Sequence, residues 1–514
     1  MTEDLPDDPG TDDYEPRPGL THRDADWSGL RVLVAGLAVS GFAAADALAE
    51  RGAVVTVVDG KAAGESQAND ERANILDILG VTVRQGEEHT AGLPAEDVDL
   101  VVTSPGWRPN QPLLLEAAAR GIPVWGEVEL AWRMRARNGA APWLTVTGTN
   151  GKTTTVNMLA SILRAAGLRA TSAGNVGTPI LEAVLHPQPF DVIAVELSSF
   201  QLHWQRSVSA VASACLNVAP DHLDWHGSFE EYLRAKGRVD QHTHIACVYN
   251  VADALTEQLV MEAEVVEGCR AIGFTLGVPA PSMVGLVDDV LADRAFVETR
   301  KHSAAELGTL HDLQGDAPSI APHYVANALA AAALARAHGV PPAAVRQALR
   351  EFRPDNHRIA EVAVLDDVTW VDDSKATNPH AALASLRGYD PVVWVAGGLA
   401  KGARFDELVA AVHDRLRGVV LLGRDAPVIR EALSRHAPDV PVIEVAAGET
   451  DGEGPMDRVV AGAASLARPG DTVLLAPGCA SMDMFANYGA RGDAFAEAVH
   501  RRRRAGKAEG TEDG

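Results

Sequence analysis

Short apolar runs and longer stretches of helical periodicity alternate along the chain, and the alternation restarts three times. The first round opens on Arg31-Val32-Leu33-Val34-Ala35, turns at Gly36, passes an alanine-rich helix at 42–50 and reaches a second strand at 53–58, closed by Asp59. A βαβ unit with a right-handed crossover is expected there. Runs at 99–103 and 122–125 and a helix over 127–136 complete the round, and Asn138-Gly139-Ala140-Ala141-Pro142 reads as a linker. The second round has strands at 143–146, 191–196 and 213–218 and helices at 324–337 and 342–351; Arg353-Pro354-Asp355-Asn356 then breaks the pattern. The third carries apolar runs at 368–371, 392–396, 419–422 and 472–476. This predicts an α/β protein of three domains with mostly parallel sheets, at 28–140, 141–355 and 356–500.

Length agrees with several domains, since 514 residues exceed what one core holds. Residues 1–27 hold nine acids and two bases among prolines and glycines, which predicts a disordered acidic tail, and 501–514 reads as a second tail after a solvated helix end at Arg501 to Arg504. A net charge of -25 argues against non-specific nucleic-acid binding, so an anionic ligand must be met by local cations and helix termini. No apolar run approaches the roughly 20 residues of a membrane span, and the acidic N-terminus is not a secretory signal. A cytoplasmic monomer, not inserted in a membrane, is expected. The cysteines, Cys215, Cys247, Cys269 and Cys479, lack the spacing of a zinc site or disulfide framework and read as reduced core residues.

The strongest chemical signal is Thr147-Gly148-Thr149-Asn150-Gly151-Lys152-Thr153-Thr154, set between a strand and a helix. Glycines let backbone N–H groups approach phosphate, Lys152 can reach the terminal phosphates, and Thr153 or Thr154 can offer a hydroxyl to Mg²⁺. Its first glycine stands later than in the general phosphate-loop pattern. The middle domain is therefore expected to be of the phosphate-loop ATPase type, and the outer two Rossmann-like. In the first domain Gly36 to Gly41 with Asp59 is a weak dinucleotide fingerprint, because Ala38 replaces the second glycine; a nucleotide-sugar diphosphate, NAD or a plain βα turn would each suit it. Ser104-Pro105-Gly106 would line the same crevice. Glu196, past a strand and before Ser198 and Gln201, is placed to hold Mg²⁺, although a strand-end Glu is more often a surface residue. His222, in Asn217 to Asp224, follows a third strand, and beside Asp221 such a His is commonly structural. Lys236 shares a helix face with Tyr232 and on its own reads as a solvated lysine. In the third domain, loops carrying Thr377, Lys401 and Ser481 each follow a strand and converge on one sheet edge, where they could bind a small carboxylate.

Taken together, Thr147 to Thr154, Gly174-Asn175-Val176-Gly177, Glu196 to Gln201, Asn217 to Asp224 with Lys236, His323 to Asn327, His357-Arg358 and Asp373 to Asn378 resemble the Mur ligase family, ATP-dependent amide-forming enzymes of peptidoglycan synthesis. The turn at Gly36, the Gly397 to Gly402 loop and Cys479-Ala480-Ser481-Met482-Asp483 are most similar to its D-glutamate-adding members. The resemblance implies that the small-molecule partners are UDP-N-acetylmuramoyl-L-alanine and D-glutamate, joined through an acyl phosphate. It implies that Gly148, Thr149, Asn150, Gly151, Lys152, Thr153 and Thr154 bind ATP with Asn327, Arg358 and Asp373. Ser40, Asp59, Gly60, Lys61, Ser104, Pro105, Gly106, Asn175, Ser198 and Gln201 would hold the UDP-sugar, and Thr377, Lys401, Ser481, Met482 and Tyr488 the D-glutamate. Two Mg²⁺ sites are implied, one on Thr153 and Glu196, the other on His222 and an N-carbamylated Lys236, with Lys152, His222 and Lys236 as the catalytic set. Closure about the 353–357 linker would then assemble the site. Two positions depart from the family: Tyr324 stands where Asn is frequent, and Tyr488 where Phe is. Remaining alternatives are another Mur-type or folylpolyglutamate-type ligase, an NAD-linked oxidoreductase, or an inert nucleotide-sugar-binding scaffold.

Overall fold

The computed structural model describes residues 16–314, 320–353, 357–446 and 454–509, and among these the strands form three sheets, of five, nine and six. The first comprises β1 (Arg31–Ala35), β2 (Val54–Asp59), β3 (Thr82–Gln85), β4 (Leu100–Thr103) and β5 (Val124–Gly126), in the order β3-β2-β1-β4-β5, all parallel. The chain winds one way from β1 to β2 and the other way to β4. That reversal opens a crevice at the C-terminal ends of β1 and β4, where ligands of such sheets bind.

The second sheet contains β6 (Trp143–Thr147), β7 (Ala170–Gly174), β8 (Val192–Glu196), β9 (Ala212–Cys215), β10 (Ala246–Asn250), β11 (Arg270–Phe274), β12 (Met283–Val287), β13 (Val290–Asp293) and β14 (Ala305–Thr309). Its order is β14-β13-β12-β11-β10-β9-β6-β8-β7, parallel from β7 to β12 and antiparallel through β13 and β14. Helix Pro322–Ala337, alanine-rich and buried on most of its circumference, packs closely on helix Lys152–Ala165. Small side chains allow that approach. The third sheet, β15 (Ala360–Leu365), β16 (Val368–Asp372), β17 (Val392–Gly397), β18 (Leu416–Leu422), β19 (Val442–Val445) and β20 (Thr472–Leu475), has the order β15-β16-β20-β17-β18-β19 and is parallel except for β15. Alternate residues of β17 enter different cores, Trp394 and Ala396 one, Val393 and Val395 the other. Both faces are covered, which is why the strand is apolar throughout.

The chain groups into two compact units. One holds the described residues up to Val218 with Glu230–Phe352, and the other Ala219–Phe229 with those from Arg353 on. Several expectations shift. Of the acidic tail expected at 1–27, residues 1–15 lie outside the described residues, and the rest is packed: Leu20 and Trp27 are each 1% exposed, and the Trp27 ring meets Trp125 edge-on at 6.5 Å. Two apolar side chains supply packing that the average composition of the stretch conceals. The helix expected from 42 begins at Val39, so Gly41 lies inside it. The strand expected at 213–218 stops at Cys215, leaving Asn217 in the loop beyond. Of the linker, 354–356 lie outside the described residues. The C-terminal helix Tyr488–Glu509 continues through Arg501, which pairs with Asp457 at 2.8 Å. No helix among the described residues is long and apolar enough to cross a membrane.

Candidate active site

The phosphate loop leaves the buried strand β6 and enters the helix Lys152–Ala165 through Gly151, whose φ of +86° is left-handed. A Cβ at Gly151 would overlap the Asn327 side-chain oxygen, so glycine here lets helix Pro322–Ala337 press its Asn327 onto the loop. Asn217 closes the other side: its carbonyl accepts from Thr149 N at 2.9 Å, its Oδ1 from Asn150 N at 2.8 Å, and its Nδ2 donates to Asn150 O at 3.1 Å. Thr149 Oγ1 and the Tyr232 hydroxyl lie 2.8 Å apart. Lys152 Nζ donates to Gly148 O at 2.8 Å and Thr149 O at 3.0 Å, while Thr153 and Thr154 are buried at the helix start. The helix N-terminus and the loop amides form a nest suited to phosphate.

On the neighbouring strand Glu196 stands opposite Val146 and is 1% exposed. Its Oε1 accepts from Asn175 Nδ2 at 2.8 Å, and its Oε2 is buried with no hydrogen-bond partner. An orphaned carboxylate oxygen beside a phosphate nest fits a hard cation. Among the described residues no group of three or more His, Cys, Asp or Glu is gathered for metal binding, so a cation here would lean on few side chains and on ligand oxygens, as Mg²⁺ does. Lys236 is 1% exposed rather than solvated. Its Nζ lies 4.8 Å from the Tyr232 ring centroid and donates to Gly148 O at 2.8 Å. Lys152 and Lys236 thus share one acceptor. Ser198 and Gln201 form a reciprocal capping box at the start of helix Ser199–His203, a role that S-x-x-Q spacing alone would have revealed.

Below this nest Asp240, which the sequence reading passed over, is fully buried. It accepts from Ser213 Oγ at 2.6 Å, and burial pushes its carboxyl up to about 7.

At the crevice of the first sheet, the Asp59 carboxylate accepts from Leu37 N at 2.7 Å and Lys61 N at 3.0 Å, pinning the turn to the end of β2. A Cβ at Gly36 would stand 2.6 Å from Ser104 Oγ, and that hydroxyl is buried without a hydrogen-bond partner. Ser40 lies on the first turn of helix Val39–Ala49. The structure therefore brings Ser40, Asp59, Gly60, Lys61 and Ser104 to Gly106 to the C-terminal ends of the three adjacent strands β1, β2 and β4.

In the second unit His222 has a φ of +53° and starts the short helix Leu223–His226, its backbone N–H bonded to Asp221 Oδ1 at 2.9 Å. The loops carrying Thr377, Lys401 and Ser481 follow the parallel neighbours β16, β17 and β20, so all three leave the same sheet edge. Leu399 and Ala480 exchange backbone hydrogen bonds at 2.8 and 2.9 Å. Arg491, missed from sequence, ties the loops together. It is 1% exposed and donates to Ser374 Oγ and Ser374 O, both at 2.9 Å, to Cys479 O at 3.1 Å and to Gly397 O at 3.4 Å. Its spacing from Phe495 marks a buried helix face, the one signal that could have found it. Burial lowers its pKa to about 10. Lys375 Nζ stands 3.8 Å from the Tyr488 ring centroid, while Met482 is 72% exposed. Asp373 is buried, takes a hydrogen bond from Ser385 and is pushed up to about 6 by burial. His357, with φ of +65°, bonds Asp372 through Nδ1 at 2.6 Å, and Arg358 lies close enough to favour the Asp373 carboxylate.

A phosphate nest on a mostly parallel sheet, in a chain that also carries two Rossmann-like sheets, is the plan of a three-domain nucleotide-dependent ligase. Residues 30–126 match the Mur ligase MurD-like N-terminal domain, 146–335 the Mur ligase middle domain, and 357–479 the Mur ligase glutamate ligase domain. The chain belongs to the Mur ligase family. The UDP-N-acetylmuramoylalanine–D-glutamate ligase of Streptomyces avermitilis is 60% identical over 473 residues, 92% of this chain and 98% of that one. Its Thermobifida fusca counterpart is 56% identical over the same shares. Among solved structures, the UDP-N-acetylmuramate-alanine ligase of Thermotoga maritima aligns with a TM-score of 0.53 at 18% identity, over 93% of this chain and 100% of that one. The MurF ligase of Thermotoga maritima in complex with ADP aligns at 0.51 and 16%, over 94% and 99%. These establish a shared fold.

Proposed function

We propose that this chain ligates D-glutamate to UDP-N-acetylmuramoyl-L-alanine at the expense of ATP, in peptidoglycan precursor synthesis. The observation that carries the chemistry is the phosphate nest at Thr147 to Thr154 beside the orphaned Oε2 of Glu196. The identity of the acceptor is supported by relatives of that activity that align over nearly the whole chain.

The L-alanine carboxylate attacks the γ-phosphorus of ATP; the bond to the bridging oxygen breaks, ADP leaves, and an acyl phosphate remains. The D-glutamate amine then attacks the acyl carbon, and the tetrahedral adduct expels phosphate and loses a proton, leaving an amide. Lys152 and the loop amides stabilise charge that moves from the γ-phosphate to the β,γ-bridge, the dominant contribution in phosphoryl transfer. Thr153 and Glu196 would hold Mg²⁺, which would add charge neutralisation at the same phosphates.

Lys236 is proposed to work as an N-carbamate, formed when its neutral amine adds to CO₂ and releases a proton. Two ammonium groups on the single Gly148 carbonyl repel each other, and a carbamate at Lys236 removes that conflict while supplying an anionic oxygen ligand. Ser40, Asp59 and Ser104 serve the nucleotide-sugar, and Thr377, Lys401 and Ser481 the D-glutamate.

The test is phosphate release from ATP with the nucleotide-sugar present. Release is expected with D-glutamate and not with L-glutamate; equal release with both would overturn the acceptor assignment. Lys152→Ala should lower kcat by roughly 10³-fold, the scale of losing a principal charge stabiliser, with an unchanged circular dichroism spectrum. Near-normal turnover would remove the phosphate-loop assignment.

A further inference from the structure

Cys247 and Cys269 have no role in the chemistry above, yet their sulfurs stand only 3.8 Å apart. Cys247 lies on β10, and Cys269 comes directly before β11, the parallel neighbour in which Arg270 is paired with Ala246. The two differ in access: Cys247 is 1% exposed, whereas Cys269 is half-buried. Two sulfurs are too few for a zinc site, and among the described residues no group of three or more His, Cys, Asp or Glu completes one.

The surroundings of the pair lead toward the phosphate nest. Cys247 Sγ donates to the Asp240 carbonyl at 3.8 Å, and that carbonyl also accepts from Thr243 N at 3.3 Å. Asp240 ends the turn Arg238–Asp240, which follows directly on the helix Phe229–Gly237 that carries Lys236. Its carboxyl is held from β9 by Ser213 Oγ at 2.6 Å. The single proton of Cys247 can turn from the carbonyl to the Cys269 sulfur once that sulfur is a thiolate, and this hydrogen bond holds the Cys269 thiol below the usual thiol range. A half-exposed thiol so favoured, with a buried thiol in contact, is the arrangement of a reacting cysteine and its resolving partner.

We infer that Cys247 and Cys269 are a peroxide-sensitive dithiol whose closure to a disulfide takes the sulfur donor from the Asp240 carbonyl and slows ligation by loosening the segment that holds Lys236. The Cys269 thiolate attacks one peroxide oxygen; the O–O bond breaks, a sulfenic acid forms, and the released hydroxide takes a proton to become water. Cys247 then gives up its proton, its sulfur attacks the Cys269 sulfur, and the S–O bond breaks to release a second water. The sulfurs lose two electrons in all, and the peroxide gains them. The dithiol stands on the sulfur geometry, while its effect on turnover rests on the reading of Lys236.

The experiment exposes the full-length protein to hydrogen peroxide, blocks the remaining thiols, and reads peptide masses beside phosphate release from ATP with both substrates present. The wild type should yield linked peptides carrying Cys247 and Cys269, lose about fivefold in kcat, the scale of one hydrogen bond, and recover with dithiothreitol. C269S should begin with wild-type activity, form no link, and keep its activity at peroxide doses that inhibit the wild type. C247A lacks the donor to Asp240 from the outset, so it should turn over about as slowly as the oxidised wild type. On oxidation it should stop at a sulfenic acid on Cys269, trapped with dimedone. If C247A is insoluble, the wild type and C269S decide. Linked peptides with undiminished turnover, inhibition of C269S equal to that of the wild type, or oxidation falling first on Cys215 or Cys479 would overturn the inference. A wild type that forms the link but shows no ligation before oxidation would overturn the ligase reading and the effect on turnover, while the dithiol itself would stand.

Discussion

Lys236 marks the limit of what single positions disclose. Its i, i+4 relation to Tyr232 was legible, and the ring does lie 4.8 Å from Nζ. Its burial was not, because a lysine on a short helix carries no local sign of what packs over it. The phosphate-loop residues were legible for the opposite reason: strand, glycines, lysine and helix are contiguous, and the chemistry dictates their order. Lys236→Ala should be inactive and regain part of its activity with formate or acetate, which can offer the missing carboxylate; full activity without rescue would end the carbamate reading. Asp240, four residues further on, predicts a pH dependence. Its folded carboxyl titrates near 7, against an ordinary value of about 3.9 in the unfolded chain, so folding takes up a proton in between. The sign follows: this group costs nothing below about pH 4, and its burden on the fold grows as pH rises toward 7 and then levels. Urea unfolding at pH 5 and pH 8 should show the wild type losing stability relative to Asp240→Asn at the higher pH; a constant difference would refute the assignment.

Several elements were read well where both faces are covered, although the buried β10 was not expected. β6, β8 and β17 are buried at every position, so apolar residues dominate them, and their loops were correctly placed at sheet ends. Half-exposed strands escaped notice: β3 reads Thr-Val-Arg-Gln and β19 Val-Ile-Glu-Val, with little buried in either. The β12 to β14 extension was missed because its antiparallel pairing is set by partners rather than by a distinctive run. The three loops at the edge of the third sheet were expected to converge, but what locks them was invisible, since Arg491 lies on the C-terminal helix, far along the chain from two of them. Replacing it tests that lock. Arg491→Met removes every donor yet keeps an apolar stem, stranding the carbonyls of Ser374, Gly397 and Cys479. Leaving buried acceptors unsatisfied costs about 1–3 kcal/mol each, so a lowered Tm is expected. If the loops form the D-glutamate site, the D-glutamate KM should rise at least about tenfold while the ATP KM stays near wild type. A uniform rise in both would show that Arg491 supports the fold without shaping the site.

At the scale of the molecule, strand-helix alternation correctly announced three sheets, yet the chain forms two compact units, and their membership does not follow sequence order. Ala219–Phe229 leaves the second sheet's chain path and groups with the residues from Arg353 on. Nothing local announces this, because unit membership depends on packing between segments more than a hundred residues apart. It has a physical consequence for truncation. A chain ending at Phe352 keeps the two N-terminal sheets and the phosphate loop, but it strips 219–229 of the residues with which that segment groups. Such a segment opens at little free-energy cost and becomes a preferred cleavage site. Limited proteolysis followed by mass spectrometry should therefore show cleavage within 219–229 in the truncated chain at protease levels that leave this segment intact in the full-length protein. Cleavage spread evenly over both chains would mean that the segment is held by the first unit after all, and the division of the molecule would have to be redrawn.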